Sequence, residues 1–303
     1  MLVPFTIFGA AFLGSGFFVW DTIKSNTICR YMECCEEQHV PFDLKKLRYS
    51  FSEKMYGQPL VNEVVNILSA HKNTLNDNSN RSKKALVLSL HGWSGVGKNF
   101  AATMIADALF KNGMQSKFVK VFMGKKDFDC SNIQKTQADL INSVNKIVQK
   151  CPTSLIIFDE IHDMCPSVLD AIKPMLDHHH AVDGIDYSQG IKRNEVEFHN
   201  FEPIIRRSAY STGGFEKSST IAQHLIDHYI PFLPLEQHHV EMCALAEFKA
   251  RGVNPSEEMM ADALSVITYG PTEDQPIFAN NGCKRFTKQV PYVIQKHRAK
   301  SEL

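Results

Sequence analysis

The stretch Leu86–Phe100, "LVLSLHGWSGVGKNF", decides how the rest of the chain is read. Gly92, Gly97 and Lys98 meet the pattern of a phosphate-binding loop, and the residue after the lysine is Asn99. That pattern ordinarily places there a Ser or Thr whose hydroxyl ligates magnesium. The apolar run "KALVLSLHG" before the loop reads as a buried strand. "NFAATMIADALFKNG" after it reads as a helix, with Met104, Ile105, Ala108 and Leu109 on its apolar face and a stop at Gly113. Between a strand and a helix, Gly92, Gly95 and Gly97 let backbone N–H groups converge on phosphate oxygens at a helix N-terminus. Lys98 then reaches the β- and γ-phosphates. A plain Gly-rich turn is the competing reading, and the lysine and the flanking elements weigh against it.

Further along, "KFVKVFMG" reads as the next strand and "TQADLINSVNKIVQK" as an amphipathic helix with Leu140, Ile141, Val144, Ile147 and Val148 on one face. "TSLIIFDEIHDM" predicts a buried strand that delivers Asp159 and Glu160 to the C-terminal edge of a sheet. Asp159 suits holding Mg²⁺, directly or through water, and Glu160 suits orienting or deprotonating an attacking water. These are two parts that nucleotide hydrolysis needs. Two acids after an apolar run are common alone; paired with the upstream glycine loop they point to a P-loop ATPase. "PSVLDAIKPMLDHHH" predicts a helix with Pro166 in its first turn and a kink or end at Pro174.

"IPFLPLE" reads as one more apolar strand, after which no further strand-like run occurs. A small helical domain is therefore expected from about Glu236 to residue 303, following a large α/β domain over 29–235. Residues 29–80 read as helices closing in a polar linker, with Leu60, Val64, Val65 and Leu68 on one helical face. Strands alternating with helices at this spacing predict a parallel α/β sheet flanked by helices, with phosphate chemistry at the strand C-termini.

Lys+Arg and Asp+Glu number 33 each, so composition gives no general attraction to nucleic acid. The first twenty residues, "MLVPFTIFGAAFLGSGFFVW", carry no charge. Residues 1–28 are read as a signal peptide or a membrane anchor rather than a core helix. Asn80-Arg81-Ser82 is a glycosylation sequon in a polar stretch, and the chain ends "KSEL", one residue from a K-D-E-L retrieval signal. Eight cysteines could pair in an oxidising lumen or serve as small buried apolar residues. The runs His178–His180 and His238–His239 fit no metal-ligand spacing and read as solvated surface histidines.

The combination of "SLHGWSGVGKNF", "IIFDEIHDM", "DAIKPMLD", "VDGIDY", "PFLPLE" and "GCK" closely resembles the torsins, AAA+ ATPases of the endoplasmic reticulum lumen and nuclear envelope. Torsins also carry Asn after the loop lysine, which makes Asn99 a family feature and, with Asp159, a candidate magnesium ligand. The resemblance implies that Gly92, Trp93, Ser94, Gly95, Val96, Gly97, Lys98, Asn99 and Phe100 contact ATP. It implies that Gly282 opens a sensor 2 motif whose Lys284 meets the phosphates, and that Lys98, Asp159 and Glu160 are the catalytic set. Cys283 is expected to pair reversibly with Cys243, coupling redox state to nucleotide grip, and Cys29 with Cys151 in a structural disulfide. The family further implies a homo-oligomer and membrane association through the apolar N-terminus. It also implies a membrane-anchored activator whose luminal domain supplies an arginine finger in trans.

One break interrupts the match. Past "VDGIDYSQG" the torsin pattern implies an apolar strand ending in the sensor 1 Asn, then a helical segment. From Asp177 to Pro203 this chain has no run of four apolar residues. A strand and helix of ~30 residues, the scale of a βαβ unit, are missing between Gly190 and Ile191. In AAA+ sheets that strand lies between the loop strand and the Asp159 strand, so its loss is expected to unpair both. "NEVEF", with Val196 and Phe198 alternating, is the one substitute in reach. Two functions follow: an activator-dependent torsin-type ATPase acting on protein or membrane assemblies, or a pseudo-ATPase or interaction subunit lacking sensor 1. A P-loop kinase fits the loop alone and is disfavoured by the sensor 2 match.

Overall fold

The computed structural model describes residues 29–76, 85–165, 168–171, 226–272 and 275–301. A short helix α1 (Cys29–Tyr31) leads into α2 (Leu44–Lys54) and α3 (Val61–Asn76). The Asp43 carboxylate caps α2 by accepting from the Lys46 N–H at 2.9 Å. Then come β1 (Leu88–His91), α4 (Lys98–Leu109), β2 (Val119–Met123), the single turn α5 (Gly124–Asp127), α6 (Ile133–Val148) and β3 (Leu155–Asp159). After the next described segment follow β4 (His228–Pro231), α7 (Gln237–Lys249), α8 (Glu257–Leu264), β5 (Tyr269–Thr272), β6 (Gln275–Ala279) and α9 (Phe286–Ser301).

The α/β class expected from the alternation is the class observed, and β1 pairs with β4 and β2 with β3, both in parallel. Among the described residues no strand joins the two pairs. The sequence predicts β3 as a buried strand, yet every residue from Leu155 to Asp159 is only half-buried. A parallel strand is sealed when neighbours stand on both edges and helices cover both faces. Here β2 is the only strand paired with β3 among the described residues. The stretch "NEVEF", the residues flanking Gly190, the N-terminal apolar segment, Asn80, His178–His180 and most of the Pro166 helix lie outside the described residues. Leu169–Ala171 forms a single tight turn. No described helix is long and apolar enough to cross a membrane.

Two apolar clusters hold the elements together. The larger joins α2, α3 and α4 to the C-terminal helices through fully buried Phe51, Phe110, Phe248 and Phe286. Each such side chain contributes about 1.5–3 kcal/mol of burial. The second runs from Phe122, Leu140 and Val144 to Ile226 and Tyr229, with Val87, Ile156 and Phe158 packed against it. Side chains on one face thus bridge the two strand pairs where backbone pairing does not.

The C-terminal region differs from the all-helical expectation by one antiparallel hairpin, β5 with β6, whose register shifts between Gly270 and Pro271. Each strand is short and carries a proline, Pro271 and Pro276, so no alternating apolar run marks it in the sequence. The hairpin is tied to the segment before α7 by Ala279 N–H donating to Leu235 O at 2.8 Å.

All eight cysteines are paired. Cys243–Cys283 forms as the resemblance implied. The Cys29–Cys151 pairing does not: Cys29 bonds Cys34 and Cys151 bonds Cys35. The chain turns back after α1, and the Cys34-Cys35 dipeptide hands one sulfur to each of the two fully buried cysteines. Cys130–Cys165, not anticipated, staples the start of α6 to the segment after Glu160.

Candidate nucleotide site

The glycine loop leaves β1 at His91 and enters α4 at Lys98, with Gly97 as the left-handed N-cap at φ +108°. Only glycine holds that conformation without cost. Val96 is buried, and its carbonyl accepts a hydrogen bond from the Gln58 side-chain amide at 3.1 Å. The same amide donates to Leu233 O at 2.9 Å, and its oxygen accepts from Leu233 N–H at 2.8 Å. One buried glutamine therefore ties the loop to the strand exit that precedes the small domain. Nothing in the sequence marks it beyond a polar residue standing directly before an apolar helix.

Lys98 folds across its own loop, its Nζ donating to Gly92 O and Trp93 O at 2.7 Å each. Burial lowers its pKa below the ordinary lysine value. The Asp159 carboxylate pulls it back up, and the Lys284 ammonium pushes it down. Three groups from three elements, α4, β3 and the turn before α9, thus share one electrostatic field. Asn99 completes the set: its amide Nδ2 donates to Asp159 Oδ2 at 2.8 Å.

Glu160 follows at the sheet edge, exposed, with φ +53° and ψ 45°. A non-glycine residue in the left-handed region stores about 1–2 kcal/mol. The Asp159 carboxylate accepts from the Glu160 N–H at 2.9 Å. Gly124, the first residue of α5, lies so close that a Cβ there would come within 2.4 Å of Glu160 O. The two acids are thus fixed from both sides. Trp93 and Phe100 are half-exposed at the loop mouth, and Trp93 meets Phe278 of the hairpin edge-on at 6.4 Å.

The small domain reaches the loop by backbone. Cys283 N–H donates to Gly95 O at 3.1 Å, and Gly282 sits against Gly95 so closely that a Cβ on Gly282 would lie 2.4 Å from that oxygen. The tight turn Gly282–Arg285 also carries Lys284, and the Cys243–Cys283 disulfide anchors it to α7. Beside the loop, His91 is held neutral: burial and Lys98 bring its pKa down to about 4. Its Nε2 lies 2.7 Å from Ser89 Oγ. His238 is exposed as expected of a surface histidine, whereas His239 is buried, its Nδ1 accepting from the Glu236 N–H as part of the cap of α7.

Residues 29–158 match the torsin family model, and residues 235–293 match the model of the torsin-1A C-terminal domain. A torsin-like protein of Drosophila melanogaster is 34% identical over 325 aligned positions, covering 96% of this chain and 92% of that one. A torsin-like protein of Caenorhabditis elegans is 32% identical over 305 positions, covering 91% and 84%. Set against a chain of 303 residues, those shares leave about 34 and about 29 aligned positions with no residue here. That shortfall has the size of the strand and helix expected from the sequence pattern to be missing after Gly190. The chain belongs to the torsin family of AAA+ proteins.

Proposed function

We propose that the chain binds Mg-ATP in the loop Gly92–Phe100 and hydrolyses it when an activator supplies an arginine finger. The cycle then remodels protein or membrane assemblies in the endoplasmic reticulum lumen and nuclear envelope. The convergence of Lys98, Asp159 and Lys284 from three separate elements supports this reading best. Lys98 and Lys284 hold phosphate charge, the loop N–H groups position the phosphates, and Glu160 takes the proton of the attacking water. The donor set fits magnesium, a hard cation that prefers oxygen ligands: Asp159 offers its carboxylate and neighbouring Asn99 its amide oxygen, the amide nitrogen being the atom that faces Asp159. When bound there, magnesium neutralises charge on the phosphates. A finger in trans accelerates P-loop enzymes by ~10³–10⁵, so the isolated chain is nearly silent. The Cys243–Cys283 disulfide sits next to Lys284, so its reduction changes nucleotide grip. The N-terminal apolar segment attaches the protein to the membrane, Asn80 carries a glycan, and the working form is a homo-oligomer.

Equilibrium binding of Mg-ATP to the full chain tests the first step. Lys98→Ala abolishes binding, and Glu160→Gln traps the ATP-bound form with the activator. An intact chain that binds no ATP sinks the proposal. The split between the strand pairs favours a second reading, binding without turnover. An ATPase assay with the activator's luminal domain separates the two: phosphate release supports the enzyme, and binding with no release supports an interaction subunit.

A further inference from the structure

We propose that Gly124 is a positioning residue for water activation: backed by the α5 turn, it holds Glu160 in its left-handed conformation. This role rests on the proposed function, in which Glu160 takes the proton of the attacking water. β2 and β3 pair in parallel from Val119 with Leu155 to Met123 with Asp159. Gly124 and Glu160 are the next residues on the two strands, and they meet where both chains leave the ladder. A Cβ on Gly124 would lie 2.4 Å from Glu160 O, 3.0 Å from Asp163 Cβ and 3.3 Å from Asp163 C. Glu160 O is already engaged, accepting from the Asp163 N–H at 2.9 Å to close the turn that follows. Glycine is needed at position 124 for space, not for a positive φ.

Which side yields to a larger residue is set by what stands behind each. Behind Gly124, the Met123 N–H donates to the Asp127 carboxylate at 2.8 Å, which fixes α5 to the end of β2. Phe122 stacks on Phe158 with ring centroids 5.3 Å apart and meets Phe128 at 5.9 Å, so the residues flanking α5 are locked into one aromatic group. Glu160 is exposed and left-handed, a conformation that costs a non-glycine residue about 1–2 kcal/mol. Such a residue persists only while its surroundings over-determine it. A methyl group on Gly124 must push Glu160 O away by roughly 0.6 Å, from 2.4 Å to the 3.0 Å floor of real contacts. The carbonyl and the side chain of Glu160 share one Cα, so the push turns its carboxylate off its aim. Misplacing a reacting group by ~1 Å costs as much as about 10²-fold in rate. The nearest atoms to that methyl group belong to Glu160 and Asp163 and none to the nucleotide loop, so ATP binding is spared.

The test measures steady-state ATP turnover of the full chain with the activator's luminal domain. Four proteins are compared: the parent, Gly124→Ala, Glu160→Gln and the double variant. Gly124→Ala is expected to lower kcat by about tenfold or more. KM and Mg-ATP affinity stay within about twofold of the parent, the signature of an interaction made only in the transition state. In the Glu160→Gln background the same change is expected to add no further loss, because it acts through the Glu160 carboxylate. Mg-ATP binding also reports folding. Should Gly124→Ala not fold, Asp127→Ala frees α5 from the Met123 N–H without a clash and is expected to lower kcat in the same way, by less. An unchanged kcat overturns the proposal. So does an equal loss in both backgrounds, or an affinity loss that accounts for the whole effect. In each of these cases a parent that turns over ATP leaves the hydrolysis reading standing. A parent that releases no phosphate sinks that reading, and the positioning role falls with it.

Discussion

Gly282→Ala probes how the small domain meets the nucleotide loop without touching the loop's own sequence. Gly282 has φ +48°, and a Cβ there meets Gly95 O at 2.4 Å and Gly95 C at 2.6 Å, both backbone atoms that no rotamer change can move aside. Two effects add. Left-handed strain costs about 1–2 kcal/mol wherever alanine replaces such a glycine. The clash then pushes the Gly282–Arg285 turn off the loop, which loses the Cys283 N–H to Gly95 O bond, about 0.5–1.5 kcal/mol net. On the proposed function it also displaces Lys284 from the phosphates, where a charge-assisted bond contributes about 1.5–3 kcal/mol. Strain and the lost backbone bond are folding costs shared by bound and free protein; the displacement of Lys284 acts on binding. An affinity loss of about 2 kcal/mol, roughly 30-fold, is the result.

The control is Gly252→Ala. Gly252 has φ +69° and no heavy atom within 4 Å of its built Cβ, so it carries the strain and none of the contact. Mg-ATP affinity, followed through the fluorescence of Trp93 at the loop mouth, is expected to fall about 30-fold in Gly282→Ala and stay unchanged in Gly252→Ala. Both variants lose stability in urea, Gly282→Ala the more by the cost of its broken contact with Gly95. If Gly282→Ala binds ATP like the parent while its stability drops, the backbone contact has no part in nucleotide grip and the reasoning is refuted.

Other sites give sharper single readouts. Gln58→Leu keeps the volume but strips partners from Val96 O, Leu233 O and Leu233 N, at a cost of about 3 kcal/mol seen as a lowered Tm. His91 stays neutral in the folded chain down to about pH 4, while the unfolded chain protonates it near 6.5. The unfolded state therefore binds more protons between these values, and stability falls as pH drops from 6.5 to 4, by about 3 kcal/mol at the lower end. Urea titrations of His91→Gln across that window are expected to lack this slope. Replacing Cys130 and Cys165 with serine opens a loop of sequence separation 35. It weakens the segment around Glu160 by about 3–4 kcal/mol on the chain-entropy account, visible as faster hydrogen exchange there and unchanged exchange in α7.

The glycine loop, the strands β1 to β3 and the helices α4 and α6 were legible because their signals are local, whereas β4, His228–Pro231, shares only Ile230 and Pro231 with the expected run Ile230–Glu236. A run of apolar residues, a period of 3.6 and a fixed motif spacing all lie within a dozen residues. What the sequence hid depends on distant partners. The hairpin β5–β6 carries a proline in each strand and so shows no alternation. Cysteine spacing cannot choose among the ~105 pairings that eight cysteines allow, and the family analogy chose Cys29–Cys151 wrongly because vicinal Cys34 and Cys35 compete for both. Gln58 acts through carbonyls 38 and 175 positions away, which no window captures. His239 reads as a surface residue beside exposed His238 and is buried because its ring closes the cap of α7. The candidate site residues are named by type at motif positions; the left-handed backbone of Glu160 and the close approach of Gly282 to Gly95 have no sequence signal.

The candidate site divides according to which part of the sheet each residue depends on. The loop and Lys98 hang on β1, which β4 supports along its full length, and on Gln58 and the small-domain turn, which clamp the loop from two sides. Lys284 belongs to that turn. Asp159 and Glu160 hang instead on β3, half-buried and paired with β2 alone among the described residues. On the proposed function, phosphate binding therefore rests on a loop with two added clamps, Gln58 and the Gly282–Arg285 turn, and water activation on a strand end that these clamps do not reach. The stability of a folded domain is only ~5–15 kcal/mol, and local opening draws on the least supported element first. Perturbations that loosen β3, such as loss of the Cys130–Cys165 staple, must reach turnover before they reach ATP affinity. Perturbations at Gln58 or Gly282 must do the reverse. That order of failure follows from where the clamps sit and is independent of whether the chain turns over ATP quickly or slowly.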